Sequence, residues 1–361
     1  QTHDKDEGVQ ALYGVSGSGT RLDANPTESG ENIAKLTVVM GGDFGRASEE
    51  RQTERMRATM AQFPDVQVKF GRPQLFSFST PLEIELRGQD LAAVEHGLRY
   101  LREVHRNPAT GGYAWTLRDG VVEDATNHCY GVAFVLLAYS CALKAGIEQA
   151  RVWMDETWQL LEARFWEPQH GLYKDEADAN WTFSDYRGQN ANMHMCEAML
   201  AAYEASGETR YLERALLLAD HMTRRQAAQT EGLVWEHYDA QWRVDTDYHR
   251  DDPKHLFRPW GFQPGHQTEW AKLLLQLDAL APADWHLPCA RFLFDAAMEK
   301  GWDAVHGGIA YGMALDGSIC DDGKYHWVQA ESMAAAAVLA VRTGDDRYWQ
   351  WYDRIWAYCW E

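Results

Sequence analysis

The chain has 361 residues, of which 45% are hydrophobic, and a formal net charge of −20 at pH 7. This composition supplies a sizeable core, and the charge argues against nucleic acid or an anionic membrane as the main partner, because phosphate binding needs clustered Lys and Arg. No apolar run approaches the roughly 20 residues of a membrane helix, and no signal peptide is visible, so we expect a cytoplasmic protein. The six cysteines include no CxxC pair and are expected to be reduced and buried, without metal.

Residue types are unevenly distributed along the chain. All 16 tryptophans and all six cysteines lie at or after Trp115. Since a single domain rarely segregates residues in this way, we predict a small α+β domain at residues 1–93 and a larger domain at residues 94–361.

The front segment has the pattern of a small open sheet with one helix. Lys35–Met40 is a strand candidate, and Val66–Phe70 and Leu82–Leu86 alternate like half-buried strands. Ser48–Gln62 repeats apolar residues on one helical face. The segments SGSGTRLDANPTESGENIAKLTV and FGRPQLFSFSTPLEIELRGQDL resemble the periplasmic porter region of RND-type efflux pumps. That resemblance carries no catalytic motif and, without membrane helices, implies no transport activity.

Residues 94–361 repeat at a coarse period. Four glycine-led segments, each expected to form a short hairpin or extended loop, precede long apolar helices rich in small residues. These helices are predicted to begin near Tyr130, Asn190, Gly265 and Trp327. In the first three repeats a polar turn and a more amphipathic helix follow, as in Tyr211–Arg224.

The two kinds of helix predict the architecture of the larger domain. Helices that are apolar nearly all round, such as the one in WVQAESMAAAAVLAV, suit an inner ring packed on both sides. Helices with one polar face suit an outer ring. Stacked hairpins that close on themselves give an α/α toroid, with the glycine-led loops and the inner-helix N-termini gathered around one cavity.

Two stretches, YRGQNANMHMCE and FRPWGFQPGHQTEW, carry the candidate chemistry. Each contains a His followed three residues later by a Glu, His194 with Glu197 and His266 with Glu269. Residues three apart share a helix face, where a carboxylate can fix the tautomer of an imidazole and raise its basicity. A lone His on an apolar helix is more often a core residue, but two pairs at matching repeat positions favour a site. Five aromatic residues could stack on a sugar ring: Tyr130, Trp235, Tyr238, Trp260 and Trp327.

The motifs N-x-N-M-H-x-x-E, F-R-x-x-G-x-x-P-G-H-x-x-E-W and W-x-x-x-E-x-M occur in this order. They resemble the N-acylglucosamine 2-epimerase superfamily, in particular its mannose and sulfoquinovose isomerases. The resemblance covers about residues 94–361 and implies a mainly α fold, an (α/α)6 barrel of helical hairpins. It implies three catalytic residues: His266, His194 and Glu269. The implied substrate-binding residues are Tyr130, Asn190, Arg258, Trp260, Trp327 and Glu331.

The chain also departs from the pattern of this superfamily. About four of the six hairpins are recognisable, so we expect an incomplete (α/α)6 toroid. The superfamily's first hairpin carries a substrate-binding Arg in a W-x-x-x-R setting, and its last inner helix carries a second catalytic His. Neither has a counterpart here. We therefore expect exposed inner-helix faces and weak or no turnover, unless a partner subunit supplies the missing wall.

The implied reaction is aldose–ketose isomerisation, D-mannose to D-fructose, in which a base moves a proton between C2 and C1 through a cis-enediol(ate). Imidazole has a suitable pKa, and neither a cofactor nor a metal is expected. Two alternatives are a sugar 2-epimerase of the same superfamily and a non-catalytic sugar-binding remnant. A third is a glycoside hydrolase using carboxylates such as Glu236, Asp239, Glu269 and Glu331. The expected partner is a monosaccharide, with no nucleic acid and no membrane, and the pattern is compatible with a homo-oligomer.

Overall fold

The computed structural model describes residues 9–16, 34–40, 53–59 and 91–360. The chain divides into two compact units, Gln1–Glu83 and Ile84–Glu361.

In the first unit, strands β1 (Val9–Ser16) and β2 (Ala34–Met40) form an antiparallel pair, and helix α1 spans residues 53–59. Strand β2 confirms the strand predicted at Lys35–Met40, and α1 lies inside the predicted helix. The other two predicted strands, Val66–Phe70 and Leu82–Leu86, lie outside the described residues. The resemblance of this segment to a porter domain stays a prediction.

The second unit is built of helical hairpins. Its four inner helices pack side by side in chain order, and each forms a hairpin with the outer helix that follows it. The inner helices are α3 (Cys129–Lys144), α5 (Gln189–Ser206), α7 (Pro264–Leu280) and α9 (His326–Thr343). The outer helices are α4 (Ala150–Leu160), α6 (Thr209–Asp220), α8 (His286–Gly301) and α10 (Asp346–Trp360). Helix α2 (Leu91–Tyr100) precedes them and contacts α3.

All four predicted inner-helix starts are confirmed to within one residue, since each helix begins one position earlier than predicted. Outer helix α10 was not predicted. Its sequence, DRYWQWYDRIWAYCW, buries Tyr348 and Ile355 but leaves Trp349 and Trp356 exposed, so aromatic residues lie on both faces and blur the apolar stripe. Among the described residues, no helix combines the length and the apolar character that a membrane crossing requires.

Glycine and proline set the ends of several inner helices. Helices α5 and α9 end at Gly207 and Gly344, whose φ angles of 73° and 69° glycine adopts without steric cost. Helix α7 starts with Pro264, at a position where a backbone N–H would have no partner within the helix.

The six cysteines are unpaired, as predicted. Cys141 and Cys359 are exposed and not buried as predicted, because they lie on helix faces that no neighbouring described helix covers.

Short antiparallel strand pairs shape the loops before the inner helices. Pairs β5–β8 and β9–β10, together with a bridge between Phe262 and Met313, join the loop of one repeat to the loop of the next. These cross-links gather the N-termini of the inner helices at one end, as predicted. The strands are β3 (Thr116–Arg118), β4 (Val121–Asp124), β5 (Asn127–His128), β6 (Trp166–Glu167), β7 (Leu172–Tyr173), β8 (Glu176–Ala177), β9 (Arg187–Gly188), β10 (His237–Tyr238), β11 (Gly312–Met313) and β12 (Ile319–Asp321).

A repeated side-chain amide ties each of three glycine-led loops to its inner helix. The fourth residue of α5, α7 and α9 accepts the backbone N–H of one loop residue and donates to the carbonyl of the same residue, over 2.8 to 3.0 Å. Because these amides are buried, breaking either bond leaves a polar group unsatisfied, and the loops are held firmly. The pairs are Asn192 with Tyr173, Gln267 with Val234, and Gln329 with Ile309.

Candidate active site

The predicted site residues recur at equivalent positions near the N-termini of the inner helices. The second residues of α3, α5 and α9 are Tyr130, Asn190 and Trp327, and His266 is the third residue of α7. The sixth residues of α5, α7 and α9 are His194, Glu269 and Glu331. Since these helices pack side by side with their N-termini at one end, the repeat brings the residues to similar depths.

His266 is a nearly buried imidazole with a carboxylate behind it. Its Nδ1 lies 2.9 Å from Glu236 Oε1 and 2.9 Å from the amide nitrogen of Gln189, and its ring centroid is 5.1 Å from that of Trp327. The predicted carboxylate partner was Glu269. The bonded carboxylate is instead Glu236, which arrives from the loop before α7, whereas Glu269 acts on His266 through its charge.

The carboxylates around His266 change its pKa more strongly than its burial does. Burial alone lowers the pKa of the imidazole, but the carboxylates of Glu236, Glu269 and Glu331 raise it more strongly, so its pKa lies above the ordinary value. An imidazole in this setting is a stronger base than a free one, and its Nδ1 is already occupied by Glu236.

His194 forms the second imidazole–carboxylate group. Its Nδ1 lies 3.2 Å from Glu197 Oε2, which confirms the predicted pair, and 3.7 Å from Glu269 Oε1. The ring of Tyr130 meets it edge-on at 5.1 Å between centroids, and Phe134 packs at 5.1 Å. Helices α3, α5 and α7 therefore each contribute to the surroundings of this imidazole.

A partly buried cation, Lys272, lies among the carboxylates of the site. The ammonium of Lys272 bonds to Glu331, and it also faces Glu269 and Glu197 electrostatically. Burial lowers the pKa of Lys272, but these carboxylates outweigh it and raise the pKa. Burial raises the pKa of Glu269, against the opposing effect of His194, so a proton is held more readily on this carboxyl than on an exposed one.

Two further residues offer polar groups near the helix N-termini. Burial and the charge of Glu269 raise the pKa of Tyr130 to about 12, so its hydroxyl is a neutral hydrogen-bonding group. The side-chain oxygen of Asn190 is buried without a hydrogen-bond partner among the described residues. An unsatisfied buried acceptor is costly, and a ligand hydroxyl would satisfy it.

Arg258 and Trp260 are both engaged within the protein. The Arg258 guanidinium lies 2.6 Å from Glu176 and 3.2 Å from Asp175, and it stacks over Tyr186 at 3.9 Å. The indole N–H of Trp260 donates to the Thr246 carbonyl at 2.7 Å. These contacts hold the loop at residues 245–263, and direct contact of either residue with substrate stays a prediction.

Among the residues that the structure describes, two groups of side chains have donor atoms close enough together to bind a cation. In the group His128, Asp175 and Glu176, the Arg258 guanidinium already supplies the positive charge. In the group His194, Glu197 and Glu269, the imidazole bonds to Glu197 and the Lys272 ammonium lies nearby. In both groups, the closeness of the donor atoms is the one feature that favours a metal ion. We therefore assign a metal ion to neither group.

Two cavities of about 350 and 300 Å³ lie elsewhere, lined by residues between 103 and 179. Neither lining includes a predicted site residue or an imidazole paired with a carboxylate. We therefore locate the candidate site by its chemistry and not by the size of the cavity.

Residues 55–361 match the sequence profile of a family described as N-acylglucosamine 2-epimerase. The chain belongs to this family. Among other members, a protein named D-mannose isomerase from Marinomonas mediterranea is 54% identical over 270 residues, which cover 74% of this chain and 68% of that protein. A D-mannose isomerase from Thermobifida fusca is 41% identical over 271 residues, covering 73% of this chain and 66% of that protein. The chain thus spans about two thirds of the length of these relatives.

Two solved structures have a similar fold. A crystal structure of D-mannose isomerase superposes with a TM-score of 0.74 at 54% identity, covering 75% of this chain and 69% of that one. Cellobiose 2-epimerase from Bacillus thermoamylovorans B4167 gives a TM-score of 0.65 at 18% identity, over 74% of this chain and 69% of that one. At 18% identity the second likeness concerns the fold alone. The predicted toroid of helical hairpins is confirmed.

In this member of the N-acylglucosamine 2-epimerase family, Glu236 and Gln189 bond to His266, Lys272 bonds to Glu331, and Trp270 bonds to Gln189. None of these four partners was assigned to an isomerase site from the sequence. Glu236 was considered as a hydrolase carboxylate, and Gln189, Trp270 and Lys272 were not considered. Two of them had a local signal. Gln189 directly precedes Asn190, and Lys272 lies three residues after Glu269 on the same helix face.

Proposed function

We propose that the chain is an aldose–ketose isomerase that interconverts D-mannose and D-fructose by proton transfer. The observation that carries the proposal is the bond between buried His266 and Glu236, in a chain that is 54% identical to a D-mannose isomerase. A monosaccharide is the proposed partner. Assembly as a homo-oligomer is compatible with the proposal.

In the proposed mechanism, Nε2 of His266 is the base. It removes the C2 proton of open-chain mannose, the electrons of the C2–H bond form a C1–C2 double bond, and the aldehyde oxygen becomes an enediolate oxygen. Glu236 holds the Nδ1 side of the ring and stabilises the imidazolium that forms. The Nε2 proton of this imidazolium exchanges with solvent, and the imidazolium then gives a proton to C1 while the C2 oxygen becomes the ketone.

The proton on the sugar oxygens needs a second group. We assign its transfer between O1 and O2 to His194 and Glu269, whose Nδ1 and Oε1 lie 3.7 Å apart. Burial raises the pKa of Glu269, which favours a carboxyl that can give up a proton and take it back. This pair is proposed to take the role that the superfamily pattern gives to a further histidine.

The remaining predicted residues are proposed to hold the sugar. Tyr130 and Asn190 provide a neutral hydroxyl and an unsatisfied amide oxygen. Trp327 lies beside the His266 ring and is proposed to cover one face of the sugar. Glu331 is proposed to accept a sugar hydroxyl while bonded to Lys272.

Three other functions compete with isomerisation. A 2-epimerase would return the proton to C2 and convert mannose to glucose at the same site. A glycoside hydrolase needs two free carboxylates, but Glu236 is bonded to His266, and Asp239 pairs with Arg243 at 2.6 Å. A sugar-binding remnant would bind mannose without exchanging its proton.

Proton NMR of the purified chain with D-mannose in D2O separates these functions. The proposal predicts fructose, deuterium at fructose C1, and loss of the mannose C2 proton signal. Glucose with deuterium at C2 would instead identify a 2-epimerase. A folded chain that binds mannose but exchanges no proton contradicts the proposal and supports a binding function.

A further inference from the structure

A buried amide and an indole lie behind the His266–Glu236 pair. Gln189, the first residue of α5, and Trp270, four residues after His266 on α7, are both completely buried. The indole N–H of Trp270 donates to Oε1 of Gln189 at 2.8 Å. The amide nitrogen of Gln189 lies 3.1 Å from Oε2 and 3.3 Å from Oε1 of Glu236.

Trp270 fixes which end of the Gln189 amide faces the site. An indole nitrogen can donate a hydrogen bond and cannot accept one, so the amide oxygen must face Trp270. The amide NH2 group is thereby directed at Glu236 and His266. A flipped amide would set its NH2 against the indole N–H and its oxygen against the carboxylate, and both contacts are unfavourable.

The carboxylate of Glu236 decides where the proton of neutral His266 resides, and the oriented Gln189 amide holds that carboxylate in place. The nearest neighbours of Nδ1 are Glu236 Oε1, which accepts, and the Gln189 NH2 group, which donates, each at 2.9 Å. The NH2 group has the carboxylate of Glu236 as a stronger acceptor, so Nδ1 keeps its proton and donates it to Oε1. Nε2 is left with the lone pair.

We infer that Trp270 and Gln189 act as positioning residues that make Nε2 the reactive nitrogen of His266. The inference rests on the proposed function, in which His266 is the base. Neither residue touches the substrate in this account. They act through Glu236 and the imidazole, in the way that the outer partners of a catalytic histidine select its tautomer.

Nitrogen-15 NMR of the histidine rings tests this inference directly. The two tautomers differ in which ring nitrogen carries the proton, and His266→Asn identifies the His266 signal by its loss. The spectrum must be recorded above the titration of His266, since Glu236, Glu269 and Glu331 all favour its protonated form. We expect the Nδ1–H tautomer in the unaltered chain. In Trp270→Phe and Gln189→Leu we expect a mixture of both tautomers, because the Glu236 carboxylate is no longer held against Nδ1.

The exchange of the mannose C2 proton provides a second readout. Losing the orientation of one neutral hydrogen bond predicts a rate decrease of about 2- to 10-fold in Trp270→Phe. Trp242→Phe is the matched control, because Trp242 is also buried and its indole N–H donates to Glu167 at 3.0 Å, outside the candidate site. The control is expected to change neither the tautomer nor the rate.

The outcomes separate this inference from the proposed function. An Nε2–H tautomer in the unaltered chain overturns the inference, even if Trp270→Phe fails to fold. An unchanged tautomer in both folded variants also overturns it. If the tautomer shifts as expected but no proton is exchanged, the positioning role of Trp270 and Gln189 is supported and the isomerase proposal is contradicted.

Discussion

The buried ion pair between Arg187 and Glu167 lies directly before the inner helix that carries Gln189, Asn190 and His194. Two parallel bonds of 2.8 and 3.0 Å join the guanidinium to the carboxylate. The side chains are only 6% and 7% exposed. Arg187→Met would remove both bonds and leave Glu167 with the Trp242 indole as its remaining described partner.

The expected cost follows from this geometry. Breaking a buried pair by removing one partner costs about 3–5 kcal/mol, because the other charge stays buried. For the roughly 270 described residues of the second unit, an unfolding entropy of about 2 cal/mol/K per residue converts this loss to a Tm decrease of about 5–9 °C. The double variant Arg187→Met/Glu167→Leu removes both charges and should lose much less than the sum of the two single losses.

Urea unfolding monitored by circular dichroism measures the free energy of unfolding of each variant. Arg243→Met is the control, because Arg243 is 73% exposed in its pair with Asp239 and should lose less than about 1 kcal/mol. Additive losses in the double variant, or a loss in Arg187→Met as small as in the control, would refute the reasoning.

Three other predictions concern the surroundings of the site. Arg258→Met should lower the free energy of unfolding by about 3–5 kcal/mol, since it strands the buried Asp175 and the half-buried Glu176. A change in sugar KM with unchanged stability would contradict this. Burial lowers the pKa of His128 and of His237 to about 4 from 6.5, so the unfolded chain binds protons first and stability should fall as the pH drops from about 6.5 to about 4. Thermal melts with a constant Tm over this pH range would contradict the predicted loss of stability. Burial raises the pKa of Glu269 and Lys272 opposes that rise, so Lys272→Met should move the limb of the pH–rate profile that Glu269 sets to higher pH, and Lys272→Arg should restore it. A limb that does not move would refute the role of Lys272.

The helical repeat was predictable because its signals are local. The inner helices are apolar on nearly every side and follow glycine-led loops, so composition over 15 to 20 residues marks them. The same reasoning failed at α10, where tryptophan and tyrosine occupy the solvent face as well as the core face. It also says little about the front segment, whose predicted strands lie largely outside the described residues.

The site was predictable as a set of positions but not as a set of bonds. The pair His194–Glu197 lies within one helical turn, and a spacing of three residues was sufficient to predict it. Glu236 and Gln189 reach His266 across 30 and 77 residues of sequence. Such contacts arise from the stacking of repeats, and no periodicity within one helix indicates them.

The repeated amides illustrate the same limit. Asn192, Gln267 and Gln329 occupy the fourth position of three successive inner helices, so their recurrence is visible once the helix starts are aligned. The function of these amides cannot be seen in the sequence, because the loop residue that each one binds lies 19 to 33 positions earlier in the chain.

The central claim is that His266 removes the C2 proton of the sugar. The most direct test compares the unaltered chain with His266→Asn in D2O containing D-mannose, following deuterium at fructose C1 by NMR. His306→Asn serves as the control, because His306 is 81% exposed on a surface loop. The account predicts that His266→Asn loses at least about 100-fold in exchange rate while His306→Asn keeps it. Exchange that persists in a folded His266→Asn variant would contradict the account.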